Sequence, residues 1–200
     1  RPPPHRTERS QEERRQAQME KTKKTFVRYS LWIVVIVAVG YGIFLLAQTA
    51  GPDGEDFSVA YSIQGRDHIT DEATHPPYNS NPPSSGSHYT STVRGGFYEK
   101  SLPDERVIHN LEHGDIWIAY RPDINDKAKE TLKSFAGQYV VVSPRAGNEG
   151  DISLGAWGRV DTFDIENEAV DEGRIRDFIR RYDNRGPEKV RGIQTGHGGF

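Results

Sequence analysis

His109-Asn110-Leu111-Glu112-His113-Gly114, followed after one residue by Ile116-Trp117-Ile118-Ala119-Tyr120, is the stretch around which the rest of the chain is ordered. Two imidazoles at i, i+4 with a carboxylate between them stack on one face of a helix. If the helix starts near Asp104, an advance of about 100° per residue puts Val107, Ile108 and Leu111 on one side and His109, Glu112 and His113 on the other. Such a helix packs through its apolar side and presents its ligands on the opposite side. Ser101-Leu102-Pro103-Asp104 supplies a capping start, and Gly114 suits the left-handed residue that closes a helix. The apolar run that follows is a strand, so the motif stands on rigid support.

Downstream, residues 122–126 form a turn, and residues 127–135 an amphipathic helix with Ala128, Leu132 and Phe135 inward. Residues 139–143 are a β-branched strand, and residues 154–163 another, bent at its glycines. A last helix over residues 170–182 turns Ile175, Phe178 and Ile179 to the core. Strand, helix, two strands and helix make an α+β layer similar to part of a split βαβ arrangement. The Gly-rich end, from Gly186 onward, is expected to fray, with residues 191–200 and His197 a flexible tail.

Upstream, the domain begins near Phe57, with a strand over residues 59–63 and a polar stretch containing His68. Residues 75–89 carry four prolines, several Asn and Ser, and a histidine near each end, His75 and His88. Proline fixes the backbone and Asn and Ser bond back to it, so the loop can be ordered without regular structure. A long loop of this kind in a compact domain is either functional or disordered, and the histidine near each end favours function. Residues 94–98 then turn the chain into the central helix.

Residues 29–47 are apolar without a charge, within the roughly 17–25 residues that span a bilayer. Tyr29 and Trp32 sit where interfacial aromatics belong. Lys21, Lys23, Lys24 and Arg28 precede the segment, whereas Asp53, Glu55 and Asp56 follow it. The positive-inside rule then puts residues 1–28, a basic and disordered tail, in the cytoplasm. After a linker at residues 48–56, a compact extracytoplasmic α/β-layered domain spans residues 57–190. A cleavable signal peptide, with Ala47-Gln48-Thr49 as a weak cleavage match, is the rival reading; the long hydrophobic region and extended basic leader argue against it.

Composition excludes several chemistries. With 26 basic and 29 acidic side chains, the chain has no nucleic-acid footprint. It has no cysteine, and its one methionine is Met19, which removes disulfides, thiolate catalysis and thiol-rich metal sites. Imidazole, carboxylate and amide remain as ligands.

The loop Tyr78-Asn79-Ser80-Asn81-Pro82-Pro83 with Ser85, Gly86 and His88, followed by residues 107–114, resembles the membrane-anchored bacterial domains grouped as domain-of-unknown-function family 3105. Ser143-Pro144-Arg145 and Ala156-Trp157-Gly158 fit the same pattern, so the resemblance covers about residues 60–190. It implies the anchored topology and the candidate ligands rather than a reaction, and it points to copper handling outside the membrane.

Three functions are open at this level. The first is a copper or zinc site built from His88, His109 and His113, with His75 or Glu112 as a further ligand, used for storage, sensing or delivery. Intrinsic affinity favours copper over zinc for such ligands. The second is zinc-dependent hydrolysis, because residues 109–113 match H-x-x-E-H, with Glu112 as the base; the downstream carboxylate ligand it also needs could be Glu188, which is far enough along but lies beside Pro187 in the tail-like end. The third is a metal-free ectodomain that docks on another membrane or extracytoplasmic protein through the Pro-rich loop and Trp157. Serines 84, 85 and 87 near His88 are explained by turn chemistry and need no nucleophilic role.

Overall fold

A computed structural model of the chain describes residues 5–49, 54–71 and 73–191. Residues 50–53 of the expected linker and residues 192–200, with His197, lie outside them. The chain divides into two units, one ending at Gly51 and the other beginning at Pro52.

The first unit is a single helix, α1 (His5–Thr49), which runs on through the basic stretch that composition assigns to a disordered tail. Glu, Gln, Arg and Lys are good helix formers, which is the local reason for this continuity. Over Gln18–Leu45 the helix is long and apolar enough to cross a membrane.

The second unit is a mixed α/β domain. Its elements are β1 (Val59–Ala60), β2 (His68–Ile69), β3 (His88–Tyr89), β4 (Gly96–Phe97), α2 (Asp104–Glu112), β5 (Ile116–Tyr120), α3 (Asp126–Lys133), β6 (Val140–Pro144), β7 (Ile152–Ala156), β8 (Arg159–Phe163) and α4 (Glu172–Tyr182). Six strands form one sheet in the order β1-β8-β7-β5-β6-β4, and β2 and β3 pair separately in parallel. β5 and β6 are parallel neighbours joined through α3, with Ile116 opposite Val140, so no strand splits this unit as the sequence pattern suggested. Residues 154–163 are a hairpin rather than one bent strand: the chain reverses at Trp157-Gly158, and β7 and β8 pair antiparallel. The first strand is shorter than expected, and residues 94–98 supply the edge strand β4.

Alternation along β5 builds the core on both faces of the sheet. Ile116, Ile118 and Tyr120 meet Ala128 and Leu132 of α3 and Ile175 and Phe178 of α4 on one side. Trp117 and Ala119 meet Val107 and Leu111 of α2 on the other. Each fully buried aliphatic side chain contributes about 1.5–3 kcal/mol, so β5 is the central ridge of the domain. The Trp117 indole N–H is satisfied by the Ser143 hydroxyl at 2.9 Å.

The Pro-rich loop is ordered by its own polar side chains. Asn79 donates to the Ser62 carbonyl, Asn81 to the Gly147 carbonyl and the Tyr78 hydroxyl to the Ser87 carbonyl. The Asn81–Pro82 peptide is cis. Gly86 has φ +117°, and a Cβ there would press on the Tyr78 ring at 3.0 Å, so this position needs glycine. The loop thereby delivers β3, and with it His88, to the outer face of α2.

Candidate metal centre

The turn-and-a-half of α2 that carries the ligands is more buried than an amphipathic helix predicts. Residues from Val107 to Glu112 are all buried, including His109, Asn110 and Glu112. The apolar face expected from the helical period is present, with Val107 and Leu111 against Trp117. The expected side-chain cap is not: the N-cap position falls on Pro103, whose ring has no acceptor to offer, and the neighbouring Asp104 carboxylate is gripped by Arg145 at 2.8 and 2.9 Å. Gly114 takes the left-handed conformation expected of it, with φ +86°.

The buried polar side chains Asn110, Glu112 and His109 each have a partner, as burial demands, whereas Arg106 Nε on the same helix is buried without one among the described residues. Asn110 bonds the Val93 backbone through both ends of its amide and donates to Asp115 at 2.8 Å. The Glu112 carboxylate lies 3.0 Å from His88 Nε2 and 3.7 Å from His68 Nε2. His109 Nδ1 is 2.8 Å from the Tyr89 carbonyl, and His88 Nδ1 is 2.8 Å from the Gly86 carbonyl.

These contacts fix the tautomers. A carbonyl oxygen only accepts, so Nδ1 of His88 and of His109 carries a proton, which leaves Nε2 as the one nitrogen of either ring able to offer a lone pair. His88 Nε2 then faces a carboxylate oxygen that is also an acceptor. Two acceptors at 3.0 Å are reconciled by a proton on one of them or by a cation beside both. A ring whose far nitrogen is anchored to a backbone carbonyl is also how proteins orient a metal-binding histidine.

Three imidazoles close into a triangle. Ring centroids are 4.8 Å apart for His68 and His88, 4.8 Å for His68 and His109, and 5.0 Å for His88 and His109. The ligand atoms of His68, His88, His109 and Glu112 all lie within 4.8 Å of one another. An ion with bonds of about 2.0–2.2 Å holds its ligands roughly 3–4 Å apart, so the group is slightly wider than a closed shell and would have to draw inward to close on an ion. Trp157, 6.4 Å from His88 and edge-on to it, lines the site from the hairpin. Burial, followed by the neighbouring His113, His88 and His68, pushes the His109 pKa down to about 4 against the opposing pull of the Tyr89 carbonyl. The ring is therefore neutral and able to bind a cation near neutral pH.

Of the residues singled out from the sequence, His88, His109 and Glu112 lie in this group. His113 sits beside it, its ring 4.6 Å from that of His109, but its Nε2 faces Glu188 at 3.3 Å. His75 is elsewhere: it stacks on Tyr78, and its Nε2 is 3.2 Å from Glu105. The hydrogen bond to the Pro76 carbonyl, with Glu105, raises its pKa. His68 was not among the expected ligands. It reaches the group because β2 pairs with β3 in register, His68 opposite His88. The available signal was the repeated dipeptide, His68-Ile69 and His88-Tyr89, a histidine followed by a strand-forming residue.

The segment expected to fray instead closes the back of α2. The Asn184 N–H donates to the Gly114 carbonyl, and the Glu188 N–H to the Glu112 carbonyl. Gly186 passes so close that a Cβ there would collide with the Glu112 carbonyl oxygen and the Gly114 nitrogen. Arg191 secures this strap by pairing with Asp183 and Asp115 and lying 3.8 Å over the Tyr139 ring. Burial raises the Asp115 pKa, with Asn110 and Arg191 opposing.

The chain belongs to the family described as Protein of unknown function (DUF3105), whose model matches residues 68–194. The match opens on His68 and takes in all four grouped side chains. No curated protein and no solved structure matches the chain.

Proposed function

We propose that this is a single-pass membrane protein whose extracytoplasmic domain binds one transition-metal ion, copper in the first place and zinc as the alternative, for storage, sensing or delivery. The observation that carries the reading is the convergence of His68, His88, His109 and Glu112, with His88 and His109 oriented through Nδ1 by backbone carbonyls and His88 Nε2 3.0 Å from the buried Glu112 carboxylate. Nitrogen-rich donors with one carboxylate suit copper(II) and zinc, and without thiolate or thioether in the group copper(I) has no soft ligand there. His88, His109 and Glu112 would form the fixed part of the coordination shell. The ion would supply the positive charge that reconciles His88 with Glu112.

The membrane part of the reading rests on the apolar span of α1 and on the basic residues before it and the acidic residues after it. A tag at Arg1 is then protected from protease added outside intact cells, while one after Phe200 is cleaved; the reverse pattern overturns the orientation.

Metal analysis and titration calorimetry on the full chain in detergent test the central claim. One copper(II) or zinc ion per chain, lost in His88→Gln and His109→Gln, is the expected result. Wild-type protein that is folded and takes up neither metal leaves a docking ectodomain as the better description. Glu112→Gln separates binding from hydrolysis. A hydrolase would keep its zinc and lose turnover, whereas a binding site loses affinity together with its carboxylate ligand.

A further inference from the structure

The four grouped side chains are not held alike. His88 is fully buried and His109 nearly so, each pinned through Nδ1, and the Glu112 side chain is only 2% exposed. The His68 side chain is 44% exposed, and neither of its ring nitrogens makes a hydrogen bond among the described residues. Its backbone is nevertheless fixed, since the neighbouring Asp67 carbonyl accepts from the His88 N–H at 3.0 Å. The ring itself is held by its contacts with the His88 and His109 rings and its 3.7 Å approach to Glu112, without a hydrogen bond of its own.

Two residues before it stands a second group aimed at the same carboxylate. Arg66 Nε is 3.7 Å from Glu112 Oε1, beyond hydrogen-bond reach but within ion-pair distance, and its side chain is 53% exposed. A buried carboxylate requires a positive neighbour. Of the groups paired with Glu112 among the described residues, Arg66 is the permanently charged one, since the others are imidazoles. A divalent ion at the centre would serve the same carboxylate from the inner side.

Resting on the metal-binding reading, we propose that residues 66–68 are the exchange face of the site: His68 is the ligand released first when the ion leaves, and Arg66 then balances the Glu112 charge. The step is a ligand exchange without electron transfer. The bond between the ion and His68 breaks as a bond forms to a nitrogen or oxygen donor on the acceptor. The bonds to His88, His109 and Glu112 follow. The acceptor is a molecule that offers such donors at the solvent-facing side of β2, because His68 is the exposed member of a group whose other three side chains are buried.

The test uses the full chain in detergent loaded with copper(II), as wild type, His68→Gln and Arg66→Gln. Electron paramagnetic resonance counts the bound nitrogens, competition titration reads affinity, and release into excess EDTA gives the exchange rate. His68→Gln is expected to keep one ion per chain, lose one coordinated nitrogen, bind about 10- to 100-fold more weakly and release faster than wild type. Arg66→Gln is expected to bind several-fold more tightly, because the metal-free state loses its counter-charge and the ion loses a repulsive neighbour. An unchanged nitrogen count and release rate in His68→Gln would overturn the exchange role, as would complete loss of binding in a folded variant. Unchanged or weakened affinity in Arg66→Gln would overturn the counter-charge role. A folded wild type without bound copper strikes the underlying metal reading instead, so the two failures are distinguishable.

Discussion

α2 and α4 are helices of similar length on opposite faces of one sheet, and they treat polar residues in opposite ways. α4 fully buries only the apolar Ile175 and Phe178, is capped at the start by Asp171, and keeps its charged side chains at least partly exposed, with an exposed i, i+4 pair between Arg176 and Glu172 and a half-buried one between Arg181 and Asp177. α2 buries His109, Asn110 and Glu112 along with its aliphatic residues and has no side-chain cap. Burying a polar group costs free energy unless its partner is exact, so α2 is the costlier helix. A sequence that needed only to cover the sheet would have used a second α4. The difference marks α2 as the element held in place for its chemistry.

Breaking one pair in each helix measures the contrast. His88→Ala leaves Glu112 without its closest partner and is expected to destabilise the metal-free domain by about 3–5 kcal/mol, read from denaturant midpoints. A loss no larger than a surface substitution would show that the His88–Glu112 contact is not a paired buried charge.

Acid is the next largest lever. The folded His109 pKa of about 4 lies below the ordinary value of 6.5, so the unfolded chain binds a proton there that the native state refuses. Stability from this group is complete above about pH 6.5 and is lost as pH falls towards 4, by on the order of 2–3 kcal/mol. His109→Gln should flatten that part of the profile in the metal-free protein; the same slope in the variant would place the effect elsewhere.

Asn110→Ala removes the bonds to Val93 and Asp115 and should cost about 1–3 kcal/mol while metal stoichiometry stays at the wild-type value. At the other extreme, Arg176→Ala cuts the exposed pair with Glu172 on α4 and should change stability by no more than about 0.5 kcal/mol. An Arg176→Ala loss as large as that of Asn110→Ala would erase the distinction between the two helices.

Periodicity made α2, α3 and α4 readable, because each turns a regular apolar repeat to the core, and β5 was readable as an unbroken apolar run buried on both faces. The motif at residues 109–113 announced two of the grouped side chains for the same reason. His68 was hidden because a two-residue strand has no period and its partner lies twenty residues away, so only the paired backbone brings it to His88. The hairpin at Trp157-Gly158 was hidden because glycine in a strand signals a bend and a reversal alike. The C-terminal segment was misjudged because its contacts are backbone ones. Gly186 is the sole residue type that lets Glu112 and Glu188 meet, and Arg191 finds Asp115 across the fold rather than along the chain.

That last segment also sets an order of events during synthesis. A ribosome finishes α2 well before it reaches Gly186, so the Glu112 carbonyl waits for its Glu188 partner until the end of the domain has been made. The helix that carries the carboxylate is therefore assembled early and locked late. A chain cut short before residue 184 would keep all four grouped side chains and lack the clasp behind them, so a premature stop there would leave the cluster present and its helix unsupported.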